Sequence, residues 1–223
     1  MRFTRHGIGL LALVLAAGFI IGLADLGAQR AAAVGPGTTE PDASALQVAT
    51  FGSGCFWCTE SDFDKVDGVT RTISGYMGGT TTNPTYETVS AGGTGHAEVL
   101  QLKFDPAKVS YKQLVDYYWR HTDVVDGGGQ FCDRGDQYRP IIFVHTPEQR
   151  QVAEAGKSEL EKSGRFDKPI AVEIKDASAF TPAEDYHQDY YQKNPLKYRY
   201  YRWACGRDQR IKDLWGAESP TTN

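Results

Sequence analysis

HAEVLQLKFD (residues 96–105) and SYKQLVDYYWRH (residues 110–121) decide the fold. In the first segment apolar and polar residues alternate, which puts Leu100, Leu102 and Phe104 on one face of a strand, with Glu98 on that same face. The second segment changes period. Ser110 and Gln113 make a capping box, and Tyr111, Leu114, Val115 and Tyr118 form the apolar stripe of a helix. Upstream, Val69–Tyr76 predicts another strand, separated from the first only by a glycine-rich loop, residues 77–95. Two successive strands with no helix between them argue against a doubly wound parallel sheet.

Outward from this pair, Gln47–Phe51 is a short strand, Gly52-Ser53-Gly54 turns the chain, and Cys55–Val66 has helical spacing. A second glycine-rich loop covers residues 122–138, and Ile141–His145 is a strand. Thr146, Pro147 and Gln149 supply the cap, first-turn proline and box residue of a helix running to Lys162. Ile170–Ile174 is expected as the last strand, Pro182–Gln192 as a helix, and a tyrosine-rich tail runs to Trp215. The order predicts an α+β fold, a mixed or antiparallel sheet with packed helices.

The chain has 223 residues, 23% of them charged and 40% hydrophobic, a globular composition with room for one substantial core. Residues 1–33 stand apart. Arg2 and Arg5 precede 18 uncharged residues, Gly7–Ala24, then Asp25 and the small residues Ala31-Ala32-Ala33. This predicts a signal peptide or an uncleaved membrane anchor, and either puts the remainder outside the cytoplasm, periplasmic or held at the outer side of the membrane. Residues 34–46 read as a disordered linker, 47–216 as the folded domain and 217–223 as a disordered tail. Of 24 Lys and Arg, three lie in residues 1–33, as does one of 28 Asp and Glu; the remaining 21 and 27 give a net charge of −6. Such an acidic chain offers no footprint for nucleic acid.

Three groups carry chemistry. Cys55 follows a glycine turn at the start of a helix, where unpaired amides and the dipole favour a thiolate; a structural disulfide or a buried free cysteine is the alternative. Glu98, on an apolar strand face, is expected to stay protonated and donate a proton, unless it escapes to solvent at an edge or pairs with a cation. Gln130–Arg139 is a polar loop of the kind that carries site residues. Four cysteines include a single C-x-x-C, Cys55/Cys58, with no second close ligand pair, so no metal is predicted. On spacing alone, a thioredoxin-like dithiol oxidoreductase and a disulfide-stapled binding module remain alternatives.

Several motifs in order resemble the peptide methionine sulfoxide reductase A family: Gly54-Cys55-Phe56-Trp57 with Glu60, Gly75-Tyr76 with Gly78-Gly79, Asn83-Pro84-Thr85-Tyr86 and Gly95-His96-Ala97-Glu98. Asp133 with Gly135, Gln137-Tyr138-Arg139, Tyr186-His187-Gln188 and Asn194-Pro195 continue the pattern to residue 195. The resemblance implies a ferredoxin-like two-layer sandwich. It also implies an enzyme that reduces the S epimer of methionine sulfoxide, protein-bound or free, without metal or organic cofactor. Cys55 resembles the nucleophile that attacks the sulfoxide sulfur, and Glu98 the acid that protonates its oxygen. Tyr86 and Tyr138 resemble phenols holding that oxygen, and Asp133 a polar residue completing the site. Phe56 and Trp57 resemble the wall for the substrate methyl group. A sulfenic acid on Cys55 would condense with a second cysteine, and a thioredoxin-like reductant would restore the thiols. Many relatives have Gly where Cys58 stands. Cys205 resembles the C-terminal recycling cysteines and ranks first as the resolving residue, Cys58 second and Cys132 third, as a packing residue. A monomer is expected.

Overall fold

The structure, a computed structural model, describes residues 46–220. The expected signal or anchor and nearly all of the expected linker lie outside these residues. Among the described residues no helix is long and apolar enough to cross a membrane.

In chain order the elements are β1 (Gln47–Gly52), α1 (Phe56–Phe63), β2 (Val69–Met77), α2 (Tyr86–Ser90), β3 (Ala97–Phe104), α3 (Tyr111–Arg120), β4 (Gly129–Gln130) and β5 (Asp133–Arg134). They continue with β6 (Ile141–Val144), α4 (Pro147–Lys162), β7 (Glu173–Asp176), β8 (Thr181–Pro182), α5 (Tyr190–Lys193), α6 (Pro195–Ala204) and α7 (Arg207–Trp215). Six strands form one mixed sheet in the order β7-β6-β1-β3-β2-β8. Only β6 and β7 pair in parallel. The four central strands follow the split βαβ pattern, with β3 inserted antiparallel between β1 and β2. The expected α+β architecture is therefore present.

Register carries the alternation into the core. Ala49 faces Leu102 and Phe51 faces Leu100, while on the other side of β3 Tyr76 faces Glu98. Phe51, Leu100, Leu102 and Phe104 pack with Phe63 of α1, Leu114, Val115 and Tyr118 of α3, and Ile211 and Trp215 of α7. Phe51 stacks on Phe63 at 5.0 Å and on Tyr118 at 5.2 Å. Each such fully buried side chain contributes about 1.5–3 kcal/mol. On the opposite face Met77, Val99, Ile141 and Phe143 are covered by Ala177 and Phe180. Ser110 and Gln113 cap α3 reciprocally as the sequence predicts, and Thr146 caps α4 through the Gln149 amide.

Four expectations shift. The apolar residues Ile170 and Val172 enter the core, but the ladder beside β6 forms three residues later, at the charged edge strand β7. Pro182–Gln192 is not a helix. Pro182 pairs with Gly75 of β2, and the side chain of Gln188 grips the backbone N–H and C=O of Ser74, each at 2.9 Å, which holds the segment in turns until Asp189. The tyrosine-rich tail forms α6 and α7. The expected boundary at 216 also moves: Gly216–Glu218 makes a turn whose Glu218 pairs with Arg120 and Arg165 at 3.2 and 2.6 Å.

Candidate active site

β1 runs into Gly52, and Gly54 takes φ +80, a conformation open chiefly to glycine. A Cβ on Gly54 would lie 2.6 Å from that of Gln130, so the turn presses directly against the β4–β5 hairpin. Gln130 holds this hairpin together. Its amide donates to the carbonyls of Asp123, Asp126 and Gly129, and its oxygen accepts the Asp123 N–H at 2.8 Å. Cys55 is the cap residue of α1, and its carbonyl accepts the Cys58 and Thr59 amides at 3.1 and 3.3 Å. Both Cys55 and Cys58 are buried free thiols.

Glu98 lies next to this helix start. Its Oε2 accepts the Phe56 N–H at 3.1 Å, while Oε1 has no hydrogen-bond partner among the described residues. Burial pushes its carboxyl up to about 8, against the opposing pull of the Phe56 amide. Glu98 is thus neutral at pH 7, with an oxygen free to carry the proton, as its place on an apolar face predicts.

Tyr86 begins α2 and is anchored by its N–H, which donates to Glu184 Oε1 at 2.8 Å. Tyr138 is held between two neighbours: Gln137 donates to Ser90 O at 3.2 Å, and Arg139 donates to Gly95 O at 3.0 Å. Burial raises both phenols, and the nearby charges of Glu98, Cys55 and Asp133 push the same way. Both therefore remain protonated donors. Asp133 accepts the Tyr201 hydroxyl at 2.5 Å. Burial raises its carboxyl, opposed by Tyr201, Arg207 and the Cys55 amide. Cys55, Glu98, Tyr86, Tyr138 and Asp133 thus converge on one site.

Phe56 and Trp57 meet a group that sequence reasoning recorded only as a motif. Trp57 Nε1 donates to His187 Nδ1 at 2.9 Å, and its ring stacks on Tyr190 at 3.7 Å. The His187 ring also lies 4.9 Å from Phe56 and 4.4 Å from Tyr86. Burial lowers its pKa, so the imidazole is neutral and can accept from Trp57. Tyr201 and Arg207 escaped sequence reasoning because both sit in the segment read as a tail. Arg207 is 2% exposed and donates to Ser53 O and His121 O, each at 2.9 Å. Their one signal was position, four residues before and two after Cys205.

Two cysteine expectations change. Burial opposes the thiolate that the start of α1 favours at Cys55. Burial pushes Cys55 well above its ordinary value, and Cys58, Glu98 and Asp133 add to this. Cys58 is lowered, first by the hydrogen bond from Cys55 and further by Arg207 and Arg202. Cys132 is not a packing residue. It forms a disulfide with Cys205, with Cα atoms 4.9 Å apart, so the first-ranked resolving cysteine is already paired, beside Asp133. Cys132, Asp133 and Cys205 are also the only cluster of metal-ligand type among the described residues, and two of its three members are tied up in that disulfide.

A buried dithiol beside a neutral carboxyl and two phenols in an α+β domain is a set of groups suited to an oxidoreductase. A family profile described as peptide methionine sulfoxide reductase matches residues 47–219. The chain is 52% identical over 170 residues to the peptide methionine sulfoxide reductase MsrA of Listeria monocytogenes serotype 4b, covering 76% of this chain and 96% of that protein. It is 50% identical over 186 residues to the MsrA/MsrB protein of Vibrio cholerae serotype O1, covering 83% of this chain but 49% of that protein, so it spans about half of that relative. Among solved structures, reduced Mxr1 from Saccharomyces cerevisiae matches with TM-score 0.63 at 32% identity, over 69% of this chain and 88% of that one. Methionine sulfoxide reductase A of Corynebacterium diphtheriae matches with TM-score 0.60 at 32% identity, over 71% and 78%. The chain belongs to the peptide methionine sulfoxide reductase A family. It is an oxidoreductase acting on methionine sulfoxide.

Proposed function

We propose that the enzyme reduces the S epimer of methionine sulfoxide, in proteins and as the free amino acid, by attack of Cys55 on the sulfoxide sulfur. The observation that carries this reading is the neutral carboxyl of Glu98 beside the helix start that bears Cys55. Sulfoxide oxygen leaves poorly until it is protonated, so the sulfur nucleophile needs a proton donor opposite it. Glu98 gives the proton, and the Tyr86 and Tyr138 hydroxyls hold the oxygen. Phe56 and Trp57 line the methyl side, with Asp133 at the margin. Cys55 reacts as the thiolate, which the start of α1 favours and burial opposes, and the Glu98 proton stays on the transferred oxygen. Methionine departs and Cys55 is left as a sulfenic acid.

A second cysteine then condenses with Cys55, releasing water, and a thioredoxin-like dithiol protein restores the thiols. Cys205 and Cys58 are the resolving candidates. No metal or organic cofactor takes part. We further propose that the enzyme acts as a monomer outside the cytoplasm, repairing oxidised proteins, with its N-terminal segment as the export signal or anchor. An assay of the separated epimers with dithiothreitol tests the reading. Rapid reduction of the S epimer and little of the R epimer supports it; equal rates, or insulin disulfide reduction in place of sulfoxide reduction, oppose it.

A further inference from the structure

The structure contains two cysteine pairs in different redox states. Cys55 and Cys58 are free and buried, at 7% and 2% exposure, whereas Cys132 and Cys205 are joined. Cys132 is exposed, on the hairpin whose next residue, Asp133, belongs to the site. Tyr201 bridges the pairs. Its ring meets Trp57 of α1 edge-on at 5.7 Å, its hydroxyl binds Asp133, and Cys205 follows one helical turn later. The inner side of α6, carrying Tyr198, Tyr201 and Cys205, thus faces the Cys55–Cys58 turn. Gly206 follows with φ +67, the left-handed residue that ends α6 and turns the chain into α7.

We propose that Cys132 is the exposed outlet of a four-cysteine path, the sulfur that the external dithiol protein attacks to regenerate the enzyme. This rests on the reading of Cys55 as nucleophile and extends it to a residue on the β4–β5 hairpin.

The electrons balance at each step. Cys58 thiolate attacks the Cys55 sulfenic acid, expelling hydroxide, which leaves as water, and forms the Cys55–Cys58 disulfide. Cys205 thiolate attacks Cys58, breaking that bond and returning Cys55 as a thiol. Cys132 then attacks Cys205, breaking the Cys58–Cys205 bond and returning Cys58. The result is the state seen here, with the inner pair reduced and the outer pair oxidised. A thiolate of the external dithiol attacks Cys132, its second thiol closes its own disulfide, and Cys132 and Cys205 return as thiols. The inner sulfurs are too buried for a protein-sized reductant, whereas Cys132 is exposed.

The test uses the full chain, reduced, freed of reductant and given one equivalent of methionine-S-sulfoxide before alkylation and peptide mapping. The expected product is a Cys132–Cys205 disulfide with Cys55 and Cys58 alkylated. A persistent Cys55–Cys58 or Cys55–Cys205 bond with Cys132 alkylated overturns the proposal. In Cys132→Ser, turnover driven by a bacterial thioredoxin should fall about tenfold or more, while the first turnover still releases methionine. Unchanged turnover means that the outer disulfide is only a staple, and overturns it. If the wild-type chain releases no methionine, the reading of Cys55 itself fails, a separate outcome.

Discussion

Glu98 shows how one side chain ties stability to chemistry. Its carboxyl is pushed up to about 8 by burial, so the proton-donating form exists below that pH and is lost as pH rises through it. The rate of sulfoxide reduction should therefore fall above pH 8. In Glu98→Gln that limb should vanish, while kcat drops by about 10²–10⁴ with little change in KM, because an amide cannot deliver the proton. Stability should fall over the same rise in pH, but the substitution should raise it where it lowers the rate. A folded-state pKa above the unfolded value means that ionisation favours unfolding as pH rises from about 4.5 toward 8. Glu98→Gln should leave Tm near wild type at acid pH and raise it by several degrees at pH 8.5, measured by calorimetry. Glu98 was legible in the sequence because strand alternation fixes its face. The burial that pushes the Cys55 thiol up was not, because the helices α6 and α7 that close over α1 come from the chain's far end.

At the scale of elements, α3, β3 and the cap of α4 were readable from local periodicity and capping chemistry, which act within a few residues. α2 was hidden because its reciprocal cap uses Thr85 and Thr88 and lacks the usual acidic or amide partner. α6 and α7 were hidden for a different reason: their support is tertiary. Asp62, buried on α1, pairs with Arg202 of α6 at 2.8 Å and approaches Arg207 of α7 at 3.5 Å. Arg207 in turn fixes the loop that leads into Cys55. Removing it leaves Asp62 short of a cation and the Ser53 carbonyl without its donor. Arg207→Met should cost about 3–5 kcal/mol, a fall in Tm of about 10 °C by thermal melt. It should also slow the enzyme by displacing the helix start.

For the whole molecule, the split βαβ sheet supplies a rigid floor, and α1 is nearly enclosed between that floor and the C-terminal helices. The sequence order of strands and helices foretold the floor; the enclosure depended on long-range contacts that no local pattern records. The full chain with a C-terminal tag should fractionate outside the cytoplasm, in the soluble extracytoplasmic pool if the leader is cleaved and in the membrane if it is not; recovery in the cytoplasm would contradict export. The central claim is that Cys55 performs the reduction, and it is tested most directly by one measurement: methionine released from methionine-S-sulfoxide by the reduced full chain, beside the same chain carrying Cys55→Ser. The account predicts prompt release by the wild type and none above background by the variant; substantial release by Cys55→Ser would contradict it.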